Sequence, residues 1–364
     1  MIVSQEQAYN IFSRKANEHS SRVAENVNRL QFTLEHMEDM IVSDFAGYNF
    51  SVSNGVKLNN SETEYVMHKH ALQQFASKNK VPMDYIQRLQ STVWGQVLLQ
   101  SMLNTHIQNQ PKDRSLIRMV NIDGKKEIRG FLSDKYKRLE TGQIFGTLLQ
   151  GMKAQNEKSF IFDAFVSDTR NWIDVMFPEL YQCETGKNGN VWFVMGARMS
   201  SSDFGDGAFQ IQTYISNIIC SNGLTRNTAL REVHLGAKMP EYISFSDRTH
   251  QLDTAATASK VKDIVKQSFS SAVVMEQIDG IYRASETMID PKNELSKIAL
   301  LSKEEKELVI NELIANNPEH GVEGENSVWK LAQAMTWVGN TIGETRQKEI
   351  NEIAGDYMTA KISK

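Results

Sequence analysis

Cysteine is scarce in this sequence. Only Cys183 and Cys220 occur among 364 residues, and they do not form a C-x-x-C pair. This scarcity excludes a disulfide framework and a thiolate zinc site, and it favours a reducing compartment. The sequence also lacks the run of about 18 apolar residues that a membrane span needs, and its opening segment lacks the apolar core of a signal peptide. We therefore expect a cytoplasmic protein that makes no contact with a membrane.

Neither sign of charge dominates. The chain has 40 basic and 44 acidic side chains, and the net charge of −4 excludes a uniformly basic nucleic-acid coat. The charges are nevertheless segregated, because residues 112–138 hold nine basic and four acidic side chains, whereas residues 283–364 hold ten and fourteen. A local basic surface is therefore compatible with the acidic total.

Several motifs of nucleotide and metal chemistry are missing. The sequence has no G-x-x-x-x-G-K-[ST] phosphate loop, and Asp203-Phe204-Gly205 lacks the H-R-D loop that accompanies such a triplet in kinases. His68 and His70 would point about 200° apart on a helix, so they cannot bind one ion together. We predict no catalytic residue, no metal site and no cofactor.

Residues 1–60 are predicted to form an N-terminal amphipathic helix and a hairpin. Apolar residues from Val23 to Ile41 recur at spacings of three and four, which is the rhythm of a helical seam. This rhythm fits a short coiled coil between subunits, and it also fits an amphipathic helix that lies on its own domain. Asn54-Gly55, within the alternating stretch Tyr48–Val56, predicts a tight hairpin turn.

Residues 61–110 are predicted to form a helical subdomain. Ser61 and Glu64 have the spacing of a capping box, and Pro82 suits the first turn of a second helix. A third helix is predicted over Val93–Ile107.

Residues 111–252 are predicted to form an α+β core domain, and residues 253–364 a C-terminal helical region. The fold class is therefore α+β, with a central mixed or antiparallel sheet flanked by N-terminal and C-terminal helical regions. The predicted strands, which are β-branched or aromatic and end at turn residues, are Leu116–Ile122, Ile128–Leu139, Phe160–Val166, Trp172–Met176 and Val191–Met199. Helices are predicted over Gln143–Met152, Phe209–Ile219, Ala255–Phe269, Lys303–Ile314 and Val328–Val338.

A polar loop precedes the helix predicted at Phe209. Its residues Ser201, Ser202, Asp203, Gly205 and Gly207 form a candidate anion site, because a glycine-rich loop before a helix N-terminus presents free N–H groups. The alternative is plain helix entry, with an aspartate cap and glycines that bend the chain.

The basic stretch from residue 125 to residue 138 is the main functional clue. In the predicted strand, cations and aromatic residues are mixed in a way that suits contact with a nucleic-acid backbone and stacking on bases. A solvated sheet face or a protected edge strand is the alternative, since lysine is common at both. The candidate contacts are Lys125, Lys126, Arg129, Lys135, Lys137 and Arg138 to phosphates and Tyr136 to a base.

Two segments of the sequence stand out as motifs: the run IRGFLSDKYKRL at Ile128–Leu139 and the block SSSDFGDGAFQIQTYISNIICSNGL at Ser200–Leu224. They are similar to an "LSDRYR" strand and to a block that ends in "CtNG" in a family of uncharacterised proteins carried by phages and plasmids. Ala71–Leu89, Val233–Gly236 and Ser327–Val338 resemble further segments of the family in the same order. The resemblance covers about residues 61–345 and implies phage or mobile-element DNA metabolism, with no settled catalytic activity. A fainter likeness in element order links the chain to phage single-strand annealing proteins, which assemble on DNA.

Three hypotheses follow. The first is a homo-oligomeric phage-type protein that binds single-stranded DNA through the basic strand and promotes annealing or recombination. The second is a non-catalytic interaction protein of a phage or mobile element that acts on host machinery through its helical ends. The third is an enzyme that uses Asp203, Asp206 and His234 around a phosphate or metal. Cys220, beside Ile219, is expected to be a buried cysteine rather than a reactive thiol.

Overall fold

Residues 4–109, 114–218, 223–232, 246–268 and 270–362 are described by the computed structural model. Within these ranges the chain forms eleven α-helices and eleven strands in two sheets, so the predicted α+β class is confirmed. The helices are α1 Gln5–Glu35, α2 Lys69–Lys78, α3 Met83–Gln90, α4 Val93–Gln108, α5 Thr141–Gln155, α6 Asp247–Ser268, α7 Ser271–Glu286, α8 Pro291–Lys297, α9 Lys303–Ala315, α10 Val328–Ile342 and α11 Glu344–Ile362. The strands are β1 Met37–Val42, β2 Asn49–Val52, β3 Val56–Asn59, β4 Glu64–Met67, β5 Ser115–Ile122, β6 Lys125–Ser133, β7 Phe160–Val166, β8 Asn171–Thr185, β9 Gly189–Ser201, β10 Phe209–Asn217 and β11 Gly223–Glu232.

The first sheet has the strand order β1-β5-β6-β4-β3-β2. Its pairs are antiparallel except β4 and β6, which run parallel. The predicted hairpin is confirmed, because Asn54 and Gly55 turn the chain between β2 and β3 with φ of 41° and 110°. Helices α2 and α4 cover this sheet, and the edge of Phe75 packs against Phe131 with their ring centroids 5.2 Å apart.

The second sheet is an antiparallel meander with the order β11-β10-β9-β8-β7. Apolar residues of α5 and α6, among them Leu148 and Val261, pack against Ile173 and other side chains of this sheet. On α1, Phe12 stacks on Phe162 of β7 with a centroid distance of 5.8 Å. Helices α10 and α11 add a further core that includes Trp329, and α11 contacts β11.

The N-terminal apolar seam belongs to an amphipathic helix that packs within its own chain. Leu30 of α1 is buried with Leu139 and Leu148 in the core beside the second sheet. The predicted extension of this helix to Ile41 is wrong, because α1 ends at Glu35 and β1 follows. Pairing of β1 with β5 overrides the helical spacing of its apolar residues.

Two other local predictions are wrong for the same reason. The capping box at Ser61 and Glu64 does not form, since Glu64 begins β4. The cap of α2 is His68 instead, whose Nδ1 accepts a hydrogen bond from the backbone N–H of His70 at 3.2 Å. The helix predicted over Phe209–Ile219 is β10 up to Asn217. This strand lies between β9 and β11 and is buried along most of its length, so its isoleucines imitate a helical face.

Sheet membership crosses the boundaries that the sequence predicted at residues 60 and 110. Strands β1 to β4, from the predicted N-terminal and helical regions, share one sheet with β5 and β6 of the predicted core. The second sheet then uses β7 to β11. Each sheet therefore carries its own helical cover.

Candidate binding surfaces

The basic stretch occupies a strand and the loop after it. Lys125 and Lys126 begin β6, and the turn before them is Asp123-Gly124, with φ of 51° and 81°. The prediction that the strand continues through Arg138 to Leu139 is wrong, because β6 ends at Ser133. The Ser133 hydroxyl accepts from the backbone N–H of Lys135 at 3.2 Å and turns the chain away from the sheet.

Tyr136 is a buried residue of this loop. Its ring is packed inside the protein, and its hydroxyl donates to the backbone oxygen of Ser202 at 3.1 Å. A buried ring cannot stack on a base, so the stacking role predicted for Tyr136 does not fit the structure.

Carboxylates from neighbouring elements neutralise much of the basic stretch. Lys126 Nζ lies 2.6 Å from a carboxylate oxygen of Glu38 on β1 and lowers the pKa of that carboxyl group. Arg129 is buried and pairs with Glu127 at 2.6 Å and with Asp168 at 3.4 Å. These cations serve the fold rather than an open basic surface.

The same pattern continues at Arg138 and Arg118. Arg138 lies 3.3 Å from Asp39, and the buried Arg118 donates to Asp39 at 2.8 Å and to Glu140 at 3.2 Å. Of the predicted phosphate contacts, Lys125 is exposed, whereas Lys135 and Lys137 are half-buried.

The polar loop is an internal connector. Ser201, Ser202 and Asp203 are buried, and Ser202 Oγ accepts from the backbone N–H groups of Phe204 at 3.1 Å and Asp206 at 2.8 Å. Two donors that an anion would need are therefore already used. Because β10 follows this loop, neither the anion cradle nor the helix entry predicted here is found. Gly205 and Gly207 have φ of 77° and 111°, which explains the glycines as turn residues.

Asp203 nevertheless caps a helix, although the helix is α5. Its Oδ1 accepts from the backbone N–H of Thr141, the first residue of α5, at 3.1 Å. Thr141 also donates its hydroxyl proton to Ser201 Oγ at 2.9 Å. Burial raises the pKa of Asp203 to about 6, and the nearby guanidinium of Arg118 opposes that rise.

Two residues of the enzyme hypothesis, Asp203 and Asp206, lie within the described ranges, and both accept hydrogen bonds from other parts of the chain. Asp206 accepts a hydrogen bond from the hydroxyl of Thr169 at 2.6 Å. Cys220 and His234 lie outside the described residues. Cys183 is buried, and burial raises the pKa of its thiol to about 11, so it is protonated at neutral pH. In the described ranges no group of three histidine, cysteine or acidic side chains is placed to hold a metal ion.

Sequence reasoning missed a buried ion-pair cluster between the second sheet and the helices beside it. Arg198 of β9 and Asp174 of β8 are fully buried and form a bidentate pair with two bonds of 2.7 Å. Lys348 of α11 and Arg22 of α1 each approach Asp163 of β7 to 2.6 Å. The sequence does contain a sign of this cluster, because Asp163, Asp174 and Arg198 each interrupt an otherwise apolar strand.

These contacts determine the charge state of the cluster. Burial acts to raise the pKa of Asp163, but Lys348 and Arg22 hold it well below its usual range. Because both carboxylates are satisfied by internal cations, the cluster is a structural connection between α1, the sheet and α11.

A surface groove lies between α8 and α9 in the C-terminal region. It has a volume of about 530 Å³ and an apolar floor that includes the buried Leu295 and the partly buried Ile310. Its lining residues are Lys292, Leu295, Ser296, Lys303, Lys306, Glu307, Ile310 and Asn311. We call this the α8–α9 groove.

Three lysines surround the floor of the α8–α9 groove. Lys292 and Lys303 are exposed and Lys306 is half-buried, and within the described part of the chain none of the three pairs with a carboxylate. Lys303 is the first residue of α9, where the positive end of the helix dipole disfavours a cation. Sequence reasoning missed this surface because the C-terminal region is acidic overall.

Comparison of the chain with models of known protein families, with curated proteins and with solved structures finds no match in any of the three. The resemblance to the phage and plasmid family therefore stays a prediction. Among the helices that the structure describes, none has the length and apolar character to cross a bilayer.

Proposed function

We propose that this protein is a non-catalytic interaction protein that binds an acidic amphipathic helix of a partner in the α8–α9 groove. The observation that carries this proposal is the set of three lysines, without described carboxylate partners, around an apolar floor. An apolar floor binds the hydrophobic face of a partner helix, and basic rims bind acidic residues beside that face. In a phage or mobile-element setting, the partner would belong to the host machinery.

The residue spacing and the length of α9 support a helical partner. Lys303, Glu307 and Ile310 recur at spacings of three and four, and Ile314 continues the same face one turn later. Ile314 is 75% exposed, so the apolar part of this face consists of Ile310 and Ile314 in the C-terminal half of α9. The 13 residues of α9 span about 20 Å, which matches a partner segment of about four turns.

Fluorescence anisotropy with a labelled peptide tests the proposal. The probe is an amphipathic helix with leucines at every third or fourth position and glutamates elsewhere. Lys303→Glu/Lys306→Glu should weaken binding at least about tenfold. Lys262→Glu/Lys266→Glu, on exposed positions of α6, changes the net charge equally and should leave binding unchanged.

The peptide controls separate groove binding from general attraction. A scrambled peptide of the same composition lacks the apolar face and should bind more weakly than the probe. Equal binding of the two peptides would refute a specific site in the α8–α9 groove. An equal loss of peptide affinity in Lys303→Glu/Lys306→Glu and in Lys262→Glu/Lys266→Glu would refute it as well.

Binding of single-stranded DNA is a second candidate, and the exposure of Lys125 within a segment of net charge +5 favours it. The interface would centre on the exposed Lys125 and include Lys135 and Lys137 on the loop that follows β6. Three phosphate contacts give a slope of about −2 for log affinity against log salt. Gel shifts at two salt concentrations, with these three lysines changed to glutamate, test this candidate: unchanged affinity at low salt rejects it.

A further inference from the structure

One face of the second sheet carries buried polar groups that the described chain does not pair. Trp172 of β8 lies directly opposite Ser200 of β9, and Arg198, two residues before Ser200, lies on the same face. All three side chains are almost fully buried. Asp174 accepts from Nε and Nη2 of Arg198, but Arg198 Nη1, Trp172 Nε1 and Ser200 Oγ have no hydrogen-bond partner among the described residues. Buried polar atoms normally have partners, so three of them together require an explanation.

The guanidinium of Arg170 extends this group of donors. It lies 4.6 Å from the ring centre of Trp172, and its Nε is also buried without a described partner. The other cations of the buried ion-pair cluster each have an aspartate partner, whereas Arg170 forms no ion pair within the described part of the chain. Arg170 therefore adds a positive charge beside the buried donors.

Glu352 of α11 faces these donors from the helix that covers this side of the sheet. Its Oε1 is buried and has no hydrogen-bond partner among the described residues. Burial raises the pKa of Glu352, and the charges of Arg170 and Arg198 oppose that rise. Glu352 and Arg170 are half-buried, so the polar region reaches the surface beside them.

The excess of donors determines which ligand suits this region. Indole and guanidinium nitrogens donate hydrogen bonds and cannot accept them, so a common partner of Trp172, Arg198 and Arg170 must accept from all three. A single water molecule has too few lone pairs for this. The oxygens of a phosphate or carboxylate group have enough lone pairs, and a guanidinium matches their geometry and charge.

We propose that this region binds the oxyanion group of a small ligand, a phosphate or a carboxylate, through Trp172 Nε1, Arg198 Nη1 and the guanidinium of Arg170. The hydroxyl of Ser200 can donate a further hydrogen bond, and Glu352 can donate one in its protonated form. We call this region the Trp172–Arg198 site. It is built from the second sheet and α11, so it does not depend on the α8–α9 groove.

Isothermal titration calorimetry of the full chain with inorganic phosphate, at constant ionic strength in chloride, tests the proposal. The wild type should bind one phosphate per chain. Trp172→Phe keeps an aromatic ring beside Arg170 but removes the indole N–H, so phosphate affinity should fall about tenfold. Trp94→Phe is the matched control, because Trp94 on α4 is 70% exposed and lies outside this site. Its phosphate affinity should equal that of the wild type.

Arg170→Gln provides a second variant, because it changes a half-buried side chain and removes the unpaired charge. It should weaken phosphate binding at least about tenfold, whereas Arg14→Gln, on an exposed position of α1, should not. Circular dichroism establishes that each variant is folded. Acetate, titrated in the same way, distinguishes the two sources of the oxyanion: the ion that the wild type binds and both variants lose identifies the ligand group.

Two results would overturn the proposal. If the wild type binds neither phosphate nor acetate saturably, water alone occupies the Trp172–Arg198 site. If Trp172→Phe and Arg170→Gln bind either ion as tightly as the wild type does, the titration reports an adventitious ion only.

Discussion

The carboxylate of Asp203 accepts a hydrogen bond from the backbone N–H of Thr141 at 3.1 Å, although 62 residues separate the two along the chain. This bond supplies the N-terminal cap of α5, whose own N-cap residue, Glu140, makes no side-chain cap bond. The cap therefore joins the loop before β10 to the start of α5. It also places a fully buried carboxyl group beside Arg118, with consequences for the pH dependence of stability.

Asp203 should make the folded protein more stable in mild acid. Its folded-state pKa of about 6 lies above the ordinary value of 3.8, so the folded state binds the proton more tightly than the unfolded state. The free energy of unfolding should rise as the pH falls from about 6 to about 4, by at most about 3 kcal/mol. Above pH 6 this contribution is lost.

Asp203→Asn isolates this effect, because asparagine is neutral at every pH and its side-chain oxygen can still accept from Thr141. The difference in unfolding free energy between variant and wild type, measured in urea, should shrink from about pH 7 to about pH 5. Asp84→Asn on the surface of α3 serves as the control. A difference for Asp203→Asn that does not vary with pH would show that this carboxyl group titrates normally.

Tyr136→Phe should lower the free energy of unfolding by about 1 to 2 kcal/mol, because it leaves the buried carbonyl of Ser202 without the hydroxyl donor. Equilibrium urea unfolding measures this loss. Tyr85→Phe removes the hydroxyl of an exposed tyrosine and should be nearly neutral. If the Tyr136 change reduced DNA affinity without reducing stability, the ring would have to be accessible.

Arg198→Met should destabilise the protein by about 3 to 5 kcal/mol, because it leaves the buried carboxylate of Asp174 without its bidentate partner. Asp174→Leu should also be strongly destabilising. The double variant should recover much of the loss, since no unpaired charge is then created within the pair. A double-mutant cycle in urea measures the coupling, and strictly additive losses would contradict it.

Gly355→Ala should destabilise the protein by about 1 to 3 kcal/mol, since the new Cβ would collide with the backbone oxygen of Thr225 where α11 crosses β11. Gly146→Ala in α5 is the matched control, because nothing lies within 4 Å of the position that its new methyl group would take. The control should stabilise the chain by up to about 1 kcal/mol. Thermal unfolding of both variants compares them, and equal effects would mean that α11 can shift freely.

Apolar spacing and turn residues in the sequence correctly predicted those helices and strands whose conformation depends on nearby residues. Strand β7 was predicted at its observed bounds, and the helix predicted within α5 was confirmed, because their apolar spacing and turn residues agree with their surroundings. The predictions for β1 and β10 failed where pairing with distant strands decides the conformation. Spacing along the chain carries no information about such partners.

The candidate binding surfaces show the same limit. The charge count of residues 112–138 could not reveal that Lys126 pairs with Glu38, which lies 88 residues earlier. Likewise, the α8–α9 groove exists only because Lys292 and Lys303 are brought to the two sides of one floor. The amino-acid sequence determines which charges are present, whereas the fold decides which of them face solvent.

The strand order of the first sheet bears on the timing of folding. Among the strands that the structure describes, β1 pairs only with β5, and β4 is joined to β5 and β1 through β6. During synthesis, β1 must therefore wait while the whole α2–α4 segment emerges from the ribosome, and the sheet closes only after Ser133 is available. A nascent chain arrested before β5 would expose the unpaired edges of β1 and β4, and these edges make it a substrate for chaperones.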